Sequence, residues 1–179
     1  MESWLNAPQY EVSFIKLNRE TNSSQIFNLV NNFKKIKYNL KLMEDNIMDK
    51  IERYCNKIDY EIELNIHIDI LGIKHSKINI QYLSEEITQI VFCFFEGEIH
   101  DNELSILKEL LKDLILNNDG IVGMVGLETV CNMIFFKTHE AYPHKDYALK
   151  NIKYLINKNT YKNKKHWLNS VYKIIWNIK

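Results

Sequence analysis

Arginine is scarce in this chain, and so are cysteine and the residues that build nucleotide loops. The 179 residues hold two arginines, Arg19 and Arg53, against many lysines. The three cysteines, Cys55, Cys93 and Cys131, form no CxxC pair and are odd in number. That pattern argues against a disulfide framework and suits a reducing cytosol. Cys93 and Cys131 lie in apolar runs, where a buried, inert thiol is expected. No HExxH and no zinc-finger pairing of cysteine with histidine occurs, so neither a metal nor a cofactor is expected. Gly120, Gly123 and Gly126 do not make GxGxxG, and no GK[ST] follows them; dinucleotide and P-loop sites are therefore not indicated. No stretch approaches the ~18 apolar residues of a membrane-crossing helix. The first twelve residues, MESWLNAPQYEV, lack the basic and apolar regions of a signal peptide.

What is present suits one folded domain. Of the residues, 46% are hydrophobic and 12% aromatic, enough for a real core, and net charge is zero. The charge is unevenly spread. Residues 1–136 carry 13 basic and 21 acidic side chains, while residues 137–179 carry 10 and 2, so the two parts have net charges of −8 and +8. Such a chain is dipolar, and its whole-molecule charge alone favours neither nucleic acid nor membrane.

Residues 59–71, DYEIELNIHIDIL, alternate without a break. Tyr60, Ile62, Leu64, Ile66, Ile68 and Ile70 share one side. Asp59, Glu61, Glu63, Asn65, His67 and Asp69 share the other. Period two belongs to a strand with one buried face. Lys77–Leu83 repeats the pattern beyond a turn at 72–76, predicting an antiparallel hairpin. Glu86–Phe95 is apolar on both faces at its end, hence central in a sheet. Tyr10–Leu17 is expected as a first strand. Helices are expected over about 24–36, over Tyr38–Tyr54 and over Asp101–Asn117, the last with Asp101 as its cap. Ile121–Phe136 reads as one bent strand or a tight hairpin with glycine kinks. After Pro143, helices are expected around 145–156 and from Lys164 to the end, the latter with Trp167, Leu168, Val171, Ile174, Ile175 and Ile178 on one face. The result is an α+β domain with a mainly antiparallel sheet and helices packed on one face.

The outward row raises the question of function. Alternate residues on a strand lie about 6.6 Å apart. Glu61 with Glu63, or His67 with Asp69, could in principle flank a substrate, as glycosidase carboxylates do, or share a metal. A solvent-facing strand, however, must be polar somewhere. A face that meets a basic protein is the functional use this row suits best. The other strong feature is the C-terminal stretch, whose Lys158, Lys162, Lys164 and Lys165 are interleaved with Tyr154, Tyr161, Trp167, Tyr172 and Trp176. Lysines meet phosphates and aromatics stack bases, so nucleic acid is the alternative partner.

From Gln81 to Ile152 the order is familiar: Phe94-Phe95-Glu96-Gly97, an acidic-capped helix, Ile121-Val122-Gly123-Met124-Val125-Gly126-Leu127-Glu128, then Tyr142-Pro143. This resembles immunity proteins of bacterial polymorphic toxin systems and related α+β proteins. The resemblance implies a small cytoplasmic, non-enzymatic protein that binds one toxin and blocks it. Nuclease toxins are basic because they grip phosphate. Two acidic surfaces are candidates for meeting one: Asp59, Glu61, Glu63 and Asp69, or Glu96, Glu98, Asp101 and Glu103.

Overall fold

A computed structural model describes residues 9–59, 61–69, 76–84, 86–95, 104–135, 146, 149–150, 152–154 and 170–177. Seven strands form one sheet: β1 (Gln9–Lys16), β2 (Leu40–Leu42), β3 (Glu61–Ile68), β4 (Ser76–Ser84), β5 (Ile87–Phe95), β6 (Val122–Leu127) and β7 (Val171–Trp176). Their order is β2-β3-β4-β5-β1-β6-β7, and every neighbouring pair is antiparallel. The α+β, mainly antiparallel fold expected from the alternation is what the chain adopts. β1 lies between β5 and β6, so chain order does not follow sheet order.

Register explains the core. Tyr10, Val12 and Phe14 stand opposite Phe94, Phe92 and Ile90, and β4 continues the same side with Ile78 and Ile80. β3 adds Ile62, Leu64, Ile66 and Ile68, all buried. Three helices cover this side: α1 (Ser23–Phe33), α2 (Ile47–Cys55) and α3 (Leu104–Asn117). Asn22 caps α1 by accepting the Gln25 N–H at 3.0 Å. Ile26, Leu29, Val30 and Phe33 follow at helical spacing and are buried, with the Phe33 ring edge-on to Phe92. α3 buries Leu104, Leu107, Leu110, Leu111, Leu114 and Ile115. Each such side chain contributes roughly 1.5–3 kcal/mol when fully removed from water. Gly123 lets α3 approach β6: a Cβ there would lie 2.6 Å from Leu111 and 2.8 Å from Ile115.

The reverse side is covered near β1 and β6, where α4 (Cys131–Phe135) lies. Ile15, Val122 and Met124 pack there with Cys131, Ile134, Phe135 and Ile152. The Ser13 hydroxyl accepts the Cys131 N–H at 3.1 Å and so begins that helix.

Three segments depart from the expected elements. The helix expected over Tyr38–Tyr54 is α2 alone. Its first part becomes β2, because Leu40–Leu42 pairs with Ile66–Ile68. The stretch expected as a bent strand or hairpin is β6 followed by α4. Glu128 takes a left-handed turn (φ 49°) between them, and the Thr129 hydroxyl donates to the Leu127 carbonyl. The described end of the expected terminal helix, Val171–Trp176, is strand β7, paired with β6. The described residues between 146 and 154 are helical, as expected. Pro143, the Asp101 cap and the start of the expected terminal helix lie outside the described residues.

Candidate protein-binding face

β3 holds its outward residues in place because its inward ones are packed into the core. With Ile62, Leu64, Ile66 and Ile68 packed, Glu61, Glu63 and Asn65 are exposed and His67 is half-exposed. On β4 the same side carries Lys77, Asn79 and Gln81, half-buried. The result is a polar sheet face at the β2–β4 end.

Its carboxylates are not bare. Asp59 accepts both Nε and Nη2 of Arg53, at 2.8 and 3.1 Å. The Arg53 hydrogen bonds hold the Asp59 carboxyl below its ordinary range and raise the guanidinium. Glu63 pairs with Lys77 at 3.0 Å. Asp69 accepts from Asn39 at 2.9 Å and meets His67 Nε2 at 3.1 Å; the Asn39 bond and then the His67 bond hold its carboxyl low. Glu61 accepts from the neutral Gln81 amide at 3.1 Å.

That amide belongs to a chain crossing the sheet. Gln89 donates to Gln81 at 2.8 Å, and the Asn132 N–H donates to Gln89 at 2.8 Å. Gln89 itself is fully buried, so these bonds satisfy a polar group that would otherwise cost stability. Glu61 is the outer end of a network anchored on α4. Beyond β2, Glu44 accepts the Asn65 N–H at 2.8 Å and pairs with Lys50 at 3.0 Å. Burial raises the Glu44 carboxyl, but the Asn65 N–H and Lys50 outweigh it, and the net shift is downward.

The structure separates the candidate residues by neighbourhood. Asp59 and Glu61 line one open cleft of about 510 Å³ with Ile58, Gln81, Tyr82, Leu83 and Asn132. Glu63 lies at mid-strand and Asp69 at the far end. Glu96, Glu98, Asp101 and Glu103 lie outside the described residues, as do Lys158, Lys162, Lys164 and Lys165. Among the described residues no group of three or more histidine, cysteine, aspartate or glutamate side chains is placed to hold a metal. Burial pushes the thiols of Cys93 and Cys131 up to about 12, so neither is a thiolate near neutral pH.

Two features were not read from the sequence. Arg19 sits over two tyrosines, with its Cζ 5.4 Å from the Tyr54 centroid and 4.9 Å from that of Tyr82; the two rings stack at 4.2 Å. Both arginines of the chain are thus engaged within it. Glu11, on the reverse side of β1, is raised to about 7 by burial first, against the Thr129 N–H, with Glu128 adding to the rise. Alternation in YEVSFIKL separates Glu11 from Tyr10 and Val12, but says nothing about what covers it.

The fold and this face define an antiparallel α+β protein with an open, ion-paired polar sheet surface. No family model and no curated protein matches the chain. Among solved structures it is similar to a chain from the crystal structure of the toxic C-terminal tip of CdiA from Pseudomonas aeruginosa in complex with immune protein. Identity is 14% and the TM-score 0.40, over 76% of this chain and 97% of that one. A likeness this loose carries no argument about function. No helix among the described residues is long and apolar enough to cross a membrane.

Proposed function

We propose that this chain is a non-enzymatic protein-binding module, an immunity- or antitoxin-like inhibitor in the cytoplasm that blocks a basic toxin domain through an acidic surface. The observation that carries the proposal is the β3 row. Glu61 and Glu63 project from a strand whose opposite face is wholly buried, so the carboxylates are presented without the entropy cost of ordering a loop. Their local partners support the same reading. Exposed ion pairs contribute little net stability, so Lys77 or Arg53 can yield its carboxylate to an incoming cation at small cost. Fixed carboxylates of this kind speed encounter with a basic partner and repel acidic ones.

The test is to co-produce the chain with the protein encoded beside its gene and measure complex formation. A one-to-one complex is expected, with an association rate that falls as salt rises. The double change E61K and E63K should weaken it roughly tenfold or more, about 1.4 kcal/mol per decade. A complex indifferent to charge reversal would rule out this face. Binding of nucleic acid alone, lost on changing Lys162, Lys164 and Lys165 to glutamate, would replace the proposal with the nucleic-acid reading.

A further inference from the structure

We infer that α4 and the turn before it form a latch: three side chains of the sheet hold it down, and ionisation of one of them, Glu11, lifts it and uncovers the apolar side chains beneath. The device stands apart from the inhibitor reading.

The geometry is that of a clasp. β6 runs into a turn that doubles back over the sheet. At Gly126 a Cβ would lie 2.9 Å from the Thr129 carbonyl oxygen. Glu128 takes its left-handed φ of 49° there, which a residue with a side chain adopts at a cost. The backbone N–H groups leading into α4 then go to side chains that stand on the reverse side of the sheet. Glu11 accepts from Thr129, Ser13 accepts from Cys131 at 3.1 Å, and Gln89 accepts from Asn132 at 2.8 Å. Glu11 and Ser13 are two apart on β1 and so share a side.

Ser13 and Gln89 are buried and neutral; Glu11 is the member that can ionise. Its Oε2 is buried with no hydrogen-bond partner among the described residues. A charge there gives up its water for the N–H of Thr129. The described neighbours add no counter-charge. Opposite Glu11 stand Gly126 on β6 and Cys93 on β5, whose thiol burial keeps neutral. Lys77 lies one strand further, on β4, and is paired with Glu63. The turn brings Glu128, a second acid, and α4 itself (CNMIF) carries no charge.

Lifting the latch hydrates Glu11, separates it from Glu128 and frees Glu128 from its left-handed conformation. Packing opposes it. α4 buries Cys131, Ile134 and Phe135, three side chains against six on α3, with Phe135 edge-on to Trp176 at 5.2 Å. A short segment with few buried contacts opens below the free energy of global unfolding. Ile15, Val122 and Met124 are what it uncovers. The Glu11 carboxyl sits at about 7 with α4 docked and returns toward the ordinary 4.5 once hydrated. Opening therefore releases a proton between those values, and is favoured as pH rises.

The experiment is amide hydrogen exchange of the full chain by NMR, corrected for its intrinsic pH dependence. From pH 6 to pH 8 the Thr129, Cys131 and Asn132 amides should lose protection roughly tenfold. Denaturant too weak to unfold the chain should leave that loss unchanged, and the Val12 and Phe92 amides should stay better protected throughout. Glu11→Gln should abolish the pH dependence, while Glu128→Gln should keep it and move its midpoint to lower pH. Alkylation by iodoacetamide at pH 8 gives a second reading: Glu11→Gln should slow it at Cys131 and leave it unchanged at the more exposed Cys55. A pH dependence that survives Glu11→Gln, or α4 amides that exchange no faster than Val12 and Phe92, overturns the latch.

Discussion

The reverse side of the sheet behaves in opposite ways at its two ends. Across β2–β4 it is polar, exposed and ion-paired, with Asp59 and Asp69 held low by donors they meet at the surface. Across β1 and β6 it is apolar and lies under α4, and the Glu11 carboxylate there is raised to about 7. Both ends nonetheless place glutamate on this side, Glu61 and Glu63 at one and Glu11 at the other. Cover makes the difference. An acid that keeps its water and finds a donor stays charged; an acid that loses its water resists charge.

The sharpest break of this comparison is at the covered, shared framework. Gly123→Val should be the most damaging change, because even a Cβ would overlap Leu111 and Ile115. Leu111→Ala, the milder probe of the same contact, should cost about 2–5 kcal/mol in chemical denaturation. A cost below ~1 kcal/mol would mean that α3 does not pack as described.

Glu11 comes next. Its folded value of about 7 lies above the ordinary 4.5, so the folded state keeps the proton longer than the unfolded one. Below about pH 4.5 both states are protonated and the group costs nothing. Between 4.5 and 7 stability falls as pH rises, and above 7 the full penalty applies. Glu11→Gln should therefore stabilise the protein by roughly 1–3 kcal/mol at pH 8 and by almost nothing at pH 4. Denaturation midpoints at the two pH values check the sign; equal effects at both would show that Glu11 is not desolvated.

The open end should answer with much smaller changes in stability. Glu63→Gln, which removes the Lys77 pair, should shift stability by no more than about 0.5 kcal/mol, while the charge reversals at Glu61 and Glu63 should act on partner association. A large stability loss from Glu63→Gln would make the row structural, and the contrast between the two ends would disappear.

How much of this was legible beforehand depends on whether the signal is local. The β3–β4 hairpin was, because unbroken alternation over Glu61–Ile68 fits only a strand. The stripe of α3 was, because six apolar residues repeat at helical spacing. The carboxylate row was also visible, though not its partners: Arg53 reaches Asp59 across six residues, but Lys77 reaches Glu63 across 14 and Asn39 reaches Asp69 across 30. VYKIIW was misread because apolar residues at 171, 174 and 175 suit a helix as well as a strand, and pairing with β6 decides between them. Leu40–Leu42 was drawn into the sheet by β3 in the same way. α4 depends on a serine 118 residues away, which no window of sequence contains.

The sequence by itself determined the alternating and helical faces, the unequal distribution of charge and the side of β3 on which the carboxylates stand, because each follows from backbone geometry over a few residues. Only the tertiary structure decided which of those faces is covered, which carboxylate meets an amide and which a cation, and where the cleft beside Glu61 lies. Those outcomes depend on water being excluded and on groups meeting across the sheet, and both are consequences of distant segments packing together.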